Sequence, residues 1–122
     1  MYIGVDLGST NLKVALYDRN LTCVAQKSAP VEYIRQEEFI EFDAKAYADS
    51  LLALLQQLLA ENPCEVLQIA LTGQAESLVC LDAEGKPVHN AISWMDERST
   101  EECAILEKQF SAELCHRKTG QQ

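Results

Sequence analysis

The chain has 122 residues, enough for one domain with a hydrophobic core but too few for a two-lobed enzyme. Its hydrophobic content of 48% and charged content of 24% are ordinary for a globular protein. The net charge of -9 argues against nucleic-acid binding, which requires a basic face. The sequence also shows no basic run suited to an acidic membrane, no bilayer-length apolar run and no signal-peptide pattern. We therefore expect a cytoplasmic protein whose partners include neither nucleic acids nor membranes.

The five cysteines follow no disulfide or metal-binding pattern. Their number is odd, no Cys-x-x-Cys pair occurs, and His89 and His116 do not supply the spacing of zinc ligands. We expect buried free thiols that pack as small hydrophobic side chains. The residues concerned are Cys23, Cys64, Cys80, Cys103 and Cys115.

The N-terminal segment predicts two apolar strands, Tyr2 to Asp6 and Leu12 to Asp18, on either side of a glycine-containing turn. A carboxylate at the end of so apolar a strand is costly to bury unless it is paired, and a divalent cation is the usual partner. The turn region supplies unhindered N–H groups, two hydroxyls and a positive charge, the materials of a phosphate-binding loop, in Gly8, Ser9, Thr10 and Lys13. The alternative is an ordinary hairpin with a solvated aspartate. A Walker loop and a Rossmann fingerprint are excluded, because no Gly-Lys-Ser/Thr follows and the next element is a strand.

A third strand is predicted from Thr22 to Tyr33, which gives an antiparallel meander with Pro30 toward its edge. The acidic segment from Arg35 to Asp43 is expected to be a solvated connector. Asp43 then caps a helix from Ala44 to Glu61, which Asn62-Pro63 terminates. A stripe of apolar residues predicts the buried face of this helix: Tyr47, Leu51, Leu54, Leu55 and Leu58, widened by Leu52 and Leu59.

The rest of the chain predicts further strands and two short helices. Val66 to Gly73 has the apolar pattern of a strand covered on both faces, and its place after a helix indicates that it runs parallel to the first strand. Short strands at 77–82 and 88–92 are joined by a turn that places Gly85 at positive φ. A capping box at 99–102 opens one helix, and another begins near Ser111 and ends at Gly120.

Asp-Leu-Gly-Ser-Thr-Asn-Leu-Lys at 6–13 is similar to the first phosphate motif of the superfamily that contains actin, heat-shock chaperones and hexokinase. Two further motifs follow it: Gly-Gln-x-Glu-Ser at 73–77 with Leu-Asp-x-x-Gly-x-Pro at 81–87, and Ile-Ser-Trp-x-Asp-x-Arg at 92–98. Together and in this order, the three segments resemble the FGGY family of carbohydrate kinases, its xylulokinase-like and glycerol-kinase-like members above all. The resemblance implies an α/β, ribonuclease-H-like (actin-like ATPase) fold: a three-stranded antiparallel meander, a helix and a parallel strand, forming an incomplete domain.

The resemblance also assigns residues to an ATP side of the site. Asp6 would hold the Mg²⁺ of MgATP, through water. The other members of the first motif would face the β- and γ-phosphates or add positive charge near them: Gly8, Ser9, Thr10 and Lys13. A Glu-x-Asp before the first helix recurs in the family, and Glu41 and Asp43 fit it.

On the sugar side, the resemblance implies that Glu76 accepts hydrogen bonds from substrate hydroxyls and that Trp94 forms an apolar wall. The remaining pocket residues would be Gln74, Ala75, Asp96 and Arg98. Two alternatives stay open: core packing for Trp94, and a structural salt bridge for Asp96 and Arg98. Glycerol kinases carry an arginine at the position of Ala75 and xylulokinases a Met-His pair at 75–76, so the resemblance leaves the substrate open.

Family members are several times longer, and the resemblance places their catalytic aspartate, second phosphate motif and adenosine pocket beyond residue 122. We therefore expect residues 1–122 to be the N-terminal part of the first kinase domain, without the C-terminal lobe and inactive alone. We also expect it to associate as a homodimer. The rival hypothesis is an actin-like nucleotide-binding protein, regulatory or structural, that performs no phosphoryl transfer. Residues 74–98 favour the kinase, because a protein that binds only a nucleotide needs no second polar pocket.

Overall fold

Two β-sheets and three helices make up the part of the chain that the computed structural model describes, residues 1–120. The strands are β1 (Tyr2–Leu7), β2 (Asn11–Tyr17), β3 (Cys23–Pro30), β4 (Ile34–Gln36), β5 (Phe39–Phe42), β6 (Gln68–Gly73) and β7 (Ala91–Ile92). The helices are α1 (Ala44–Glu61), α2 (Thr100–Gln109) and α3 (Ala112–Thr119).

The larger sheet has the strand order β3-β2-β1-β6. The first three strands form the predicted antiparallel meander, although β3 ends at Pro30 and is shorter than expected. β6 runs parallel to β1, with Tyr2 opposite Gln68 and Leu7 opposite Gly73. A parallel neighbour requires a crossover, and α1 provides it. The meander, the helix and the parallel strand of the predicted fold are therefore confirmed.

Alternation along β1 and β2 sends one set of apolar side chains to a core beneath α1. This core consists of Ile3, Val5, Leu12, Val14, Leu16, Leu54 and Leu58. Helix α1 has the predicted bounds, and Asp43 caps it by accepting hydrogen bonds from the N–H groups of Lys45 and Ala46 at 2.8 and 3.0 Å. Leu52, expected to widen the buried stripe, instead points to solvent.

Strand β6 has the apolar pattern of a strand covered on both faces, but within residues 1–120 nothing covers it, as expected for a part of a longer domain. All six of its residues are exposed, and its apolar side chains include Ile69 and Leu71 at 52% and 67% exposure. The reason is its position at the edge of the sheet, whereas α1 packs on β2 and β3. Within residues 1–120, β6 thus presents an unpaired backbone edge and an apolar surface.

A second, smaller sheet with the order β4-β5-β7 replaces the solvated connector expected at 35–43. That expectation was wrong because Phe42 is buried and β5 pairs with a strand almost fifty residues away, with Phe42 opposite Ala91. The predicted strands at 77–82 and 88–92 are mostly irregular. They retain isolated bridges between Leu78 and Ile92 and between Leu81 and Pro87.

Of the predictions for turns and helix caps, those for two glycines are confirmed and the one for a capping box is wrong. Gly85 and Gly120 both have φ of 79°, as predicted for a turn and a helix C-cap. The capping box at 99–102 is absent: Ser99 makes no side-chain cap, and the Thr100 hydroxyl instead donates to the carbonyl of Glu97 at 2.7 Å.

The cysteines are free thiols, as predicted, but the expectation that they are buried was wrong. Four are exposed and Cys80 is of intermediate exposure. Cys103 lies on α2 and Cys115 on α3, and neither helix has a buried residue. Among the described residues, the helices are too short or too polar to cross a membrane.

An ion-pair network ties the segment before α2 to the second sheet. Nε and Nη2 of Arg98 donate to the two carboxylate oxygens of Asp96 at 2.6 and 2.7 Å, and Nη2 also donates to Oε1 of Glu41 at 2.7 Å. The N–H of Ile40 donates to Asp96 at 2.6 Å, and the Arg98 guanidinium lies 4.4 Å from the ring centre of Phe39. Hydrogen bonds from Arg98 lower the pKa of both carboxyl groups, and the two carboxylates raise the pKa of Arg98.

This network should make stability depend on pH in the acid range. Because the folded state lowers the pKa values of Asp96 and Glu41, their contribution is present above the ordinary values of 3.8 and 4.5 and is lost as pH falls below them. Arg98→Lys keeps the charge but loses the planar two-point contact, so Tm at neutral pH should fall by roughly 4–8 °C. Thermal unfolding followed between neutral pH and pH of about 3 should also show a weaker pH dependence in this variant.

The matched control is Lys45→Ala, which removes an exposed ion pair with Asp49 one helical turn away. Exposed pairs of this kind contribute little, so its Tm should stay near that of the unmodified chain. Equal losses of Tm in the two variants would show that the Arg98 network has no special structural role.

Candidate functional site

Asp6 lies on the face of the larger sheet opposite the α1 core, because it alternates with the buried Val5. Its neighbours across the sheet are Lys13 on β2 and Thr72 on β6. These three residues help to line an open groove of about 330 Å³. The structure therefore brings together a carboxylate, an ammonium group and a hydroxyl from three adjacent strands.

The turn after β1 requires glycine at its first position. A Cβ on Gly8 would lie 2.5 Å from the carbonyl oxygen of Asn11, so no larger residue fits without moving the backbone. The same Cβ position is 3.6 Å from Oδ1 of Asp6. Gly8 thus permits the close return of the chain into β2 next to the carboxylate of Asp6.

Three successive carbonyl groups of this turn are held by donors from other elements. The hydroxyls of Tyr47 and Tyr33 donate to the carbonyls of Gly8 and Ser9 at 3.1 and 2.8 Å. The N–H of Val31 donates to the carbonyl of Thr10 at 3.0 Å. We call residues 8–10 the phosphate turn. These three donors restrain its backbone, the kind of preorganisation that lets a loop stabilise charge with little rearrangement.

An aromatic cluster positions the two tyrosines. The ring of Phe42 lies 5.9 Å from that of Tyr33 in an edge-on arrangement and 5.1 Å from that of Tyr47. Phe42 precedes the N-cap of α1 and Tyr47 is the fourth residue of the helix, so their contact is a hydrophobic staple. Sequence reasoning assigned Tyr47 to the core stripe and missed its hydroxyl. The spacing of Phe42 and Tyr47 on either side of the Asp43 cap could have predicted the contact between their rings, but not the hydrogen bond of the hydroxyl.

The loop after β6 is attached to the end of β1. A Cβ on Gly73 would lie 2.5 Å from the Cβ and 2.7 Å from the carbonyl oxygen of Leu7, and the N–H of Gln74 donates to that carbonyl at 2.9 Å. The Ser77 hydroxyl donates to Oε1 of Gln74 at 3.0 Å, and the N–H of Trp94 donates to Ser77 at 3.2 Å. We call residues 74–77 the sugar-side loop. Sequence reasoning did not single out Ser77, which joins Gln74 to Trp94.

Two exposed residues of this loop and one neighbour complete the predicted pocket. Ala75 and Glu76 are exposed, and Glu76 has φ of 70°, a left-handed conformation unusual for a residue with a side chain. Strain of this kind concentrates at functional sites. Trp94 is 52% exposed, which disagrees with the alternative of simple core packing.

The side chains of Asp96 and Arg98 make their contacts elsewhere. Their bonds run to Glu41 and Ile40 of β5, in the network described above. Both carboxylate oxygens of Asp96 are engaged there, and its side chain is only 3% exposed. The geometry therefore favours the structural salt bridge for this pair over direct contact with a substrate.

The residues around Asp6 suit a magnesium ion that arrives with a nucleotide. No group of three or more His, Cys, Asp or Glu side chains that could hold a metal occurs among residues 1–120. Magnesium in nucleotide sites needs only one or two protein carboxylates, because phosphates and water fill the other positions. Asp6 would provide such a carboxylate, with the Thr72 hydroxyl close by in the same groove, whereas the ammonium group of Lys13 cannot bind the metal and would instead face phosphate oxygens.

Comparisons with known proteins agree with this geometry. The family model described as the FGGY family of carbohydrate kinases, N-terminal domain, matches residues 1–122. A glycerol kinase from Natranaerobius thermophilus is 35% identical over 124 residues, which cover 97% of this chain and 25% of that protein. A gluconate kinase from Lactobacillus acidophilus superposes with a TM-score of 0.90 at 27% identity, over 98% of this chain and 25% of its own.

A ligand-bound xylulose kinase from Lactobacillus acidophilus has a TM-score of 0.87 at 26% identity, over 95% of this chain and 24% of its own. The chain thus spans about a quarter of the length of the proteins that it matches. The family model covers all of it, and the structural matches share its sheet and helices. The chain belongs to the FGGY family of carbohydrate kinases.

Proposed function

We propose that this chain is the N-terminal part of a kinase that transfers the γ-phosphate of MgATP to a hydroxyl of a sugar or polyol. The observation that carries the proposal is the attachment of the sugar-side loop to Leu7, the residue that immediately precedes the phosphate turn, at the paired ends of β1 and β6. A phosphoryl acceptor must lie in line with the γ-phosphate, so the two binding regions must adjoin. The catalytic aspartate would lie beyond residue 122. The proposal includes a cytoplasmic location, where ATP is available.

On the nucleotide side, Asp6 would orient the magnesium ion through its water ligands, and the ion would neutralise phosphate charge. The phosphate turn would offer its N–H groups and hydroxyls to the β- and γ-phosphates. The hydroxyls of Tyr33 and Tyr47, which donate to two carbonyls of the turn, would hold its backbone in place. Lys13, opposite Asp6, would add positive charge. Phosphoryl transfer depends mostly on positioning and charge neutralisation, which these groups supply.

On the sugar side, Glu76 would accept hydrogen bonds from substrate hydroxyls and the exposed ring of Trp94 would cover an apolar face of the substrate. Ala75 is small and exposed, and would leave room beside Glu76. The matched proteins are kinases of glycerol, gluconate and xylulose, which are hydroxyl-rich molecules. We therefore propose an open-chain polyol, sugar acid or ketose as the substrate class.

The rival, an actin-like protein that binds a nucleotide without transferring phosphate, is disfavoured by membership of the carbohydrate kinase family. The exposed Glu76 and Trp94 also offer a polar and an aromatic surface to a second ligand, which such a protein does not require. The products formed from MgATP and a sugar distinguish the kinase from the actin-like protein, since only a kinase forms a phosphorylated sugar together with ADP.

The full-length protein should therefore release ADP in the presence of MgATP and one of glycerol, gluconate or xylulose. Asp6→Asn should lower this turnover by roughly two orders of magnitude, the size expected for the loss of one preorganised electrostatic contact. The fold should persist, because the amide has nearly the same volume as the carboxylate. Steady-state rates at several Mg²⁺ concentrations, alongside thermal unfolding, would measure both effects.

The matched control is Asp49→Asn, an exposed acid on α1 that should leave turnover unchanged. Unaltered turnover of Asp6→Asn at limiting Mg²⁺ would remove Asp6 from the site. ADP release without any sugar, or none with the whole panel, would favour the actin-like alternative.

We also propose that residues 1–122 associate as a homodimer through the edge of β6, since unpaired strands with apolar side chains seek partners. Sedimentation velocity should detect a species larger than the monomer. Ile69→Lys places a charge on this edge and should restore the monomer. Leu52→Lys is the control, because Leu52 on α1 is as exposed as Ile69 but lies away from the edge, and it should leave the association unchanged. A monomeric unmodified chain, or equal effects of the two variants, would contradict this mode of association.

A further inference from the structure

A continuous path of hydrogen bonds leads from the backbone of Trp94 to the end of β1. The N–H of Trp94 donates to Oγ of Ser77 at 3.2 Å, and the Ser77 hydroxyl donates to Oε1 of Gln74 at 3.0 Å. The N–H of Gln74 then donates to the carbonyl of Leu7, one residue before the phosphate turn, at 2.9 Å. The path connects the aromatic wall predicted for the sugar to the backbone predicted for the phosphates.

Gln74 approaches the phosphate turn a second time through its side chain. The Tyr47 hydroxyl that donates to the Gly8 carbonyl at 3.1 Å also lies beside the side chain of Gln74. Burial raises the pKa of Tyr47, and a hydrogen bond from Gln74 acts in the opposite direction. Because Oε1 of Gln74 already accepts from Ser77, the amide NH₂ is the donor that remains available to it.

We propose that Gln74 and Ser77 are positioning residues that couple occupancy of the sugar side to the geometry of the phosphate turn, an inference that rests on the proposed kinase function. Sequence reasoning placed Gln74 among the sugar ligands. Its side-chain carbonyl instead accepts a hydrogen bond from Ser77, and its backbone N–H donates to the carbonyl of Leu7. Gln74 therefore transmits the position of the loop and leaves direct contact with the substrate to Glu76.

The coupling follows from preorganisation. A sugar that immobilises the sugar-side loop and Trp94 also restrains, through Ser77 and Gln74, the carbonyl of Leu7, which belongs to the peptide unit that leads into Gly8. A nucleotide that binds afterwards meets a turn with less freedom left to lose. By linkage, the nucleotide must strengthen sugar binding by the same factor.

The first test asks whether the path exists, and it needs no catalysis. In amide NMR spectra of the 122-residue chain, Ser77→Ala should shift the resonances of Gly8 and Ser9, which lie on the far side of the path. Ser93→Ala is the matched control, because the Ser93 hydroxyl accepts from the N–H of Met95 beside Trp94. It should shift resonances near Trp94 only. Unshifted Gly8 and Ser9 resonances in Ser77→Ala, or equal shifts in the two variants, would overturn the proposal.

The second test measures coupling in the full-length protein. Affinity for a non-hydrolysable ATP analogue should be higher with the accepted polyol than without it, and Ser77→Ala should reduce this enhancement about 3- to 10-fold, the worth of one hydrogen bond. Ser77→Thr keeps the hydroxyl and should restore it. Tyr33→Phe is the control. It removes the hydroxyl that donates to the Ser9 carbonyl, which lies outside the path through Gln74. It should therefore weaken nucleotide binding equally with and without the polyol.

The outcomes separate this inference from the proposed function. An enhancement that survives in Ser77→Ala, in a protein that does phosphorylate a polyol, overturns the coupling alone. A protein that phosphorylates no member of the panel overturns the kinase function and the coupling with it. The NMR result still decides in that case whether the path from Ser77 to the phosphate turn exists.

Discussion

The close contact between Leu7 and Gly73 is the constraint on which the site depends. In-register parallel pairing brings the ends of β1 and β6 to the same edge of the sheet, and the space between them admits no Cβ on Gly73. Two loops therefore leave the sheet side by side, one bearing the phosphate turn and the other the sugar-side loop. Loops at the carboxyl ends of parallel strands are where α/β proteins gather their ligands. The proposed transfer between two substrates follows from this shared edge.

Elements specified by local signals could be predicted from the sequence. The bounds of α1 follow from the Asp43 cap and from Asn62-Pro63, and the meander follows from short connections between apolar strands. The second sheet could not be predicted, because β5 finds its partner β7 almost fifty residues later and β7 is only two residues long. Ser99 shows the opposite failure: it stands at the N-cap position of α2 as the pattern predicts, but its backbone is not extended (φ of -91° and ψ of 22°) and its side chain makes no cap.

The candidate site divides in the same way. Asp6 and the glycine of the phosphate turn were predictable because their motif is continuous in sequence, and Gly8 is required by the approach of the Asn11 carbonyl. The roles of the Tyr33 and Tyr47 hydroxyls were missed because they arise only when distant segments meet. Ser77 stood in its motif without a role, because its link to Trp94 spans 17 residues. Asp96 and Arg98 stood in the expected motif, yet their contacts with Glu41 and Ile40 make them part of the scaffold.

The most direct test of this account is Gly73→Ala in the full-length protein. The added methyl must push the end of β6 away from Leu7, so the KM values for ATP and for the sugar should both rise, by about tenfold or more. Gly85→Ala is the matched control: φ of 79° makes it strained, but the new Cβ meets open space far from the shared edge. It should lose stability and keep both KM values. A Gly73→Ala protein that is less stable but has unchanged KM values would contradict the claim that this contact aligns the two halves of the site.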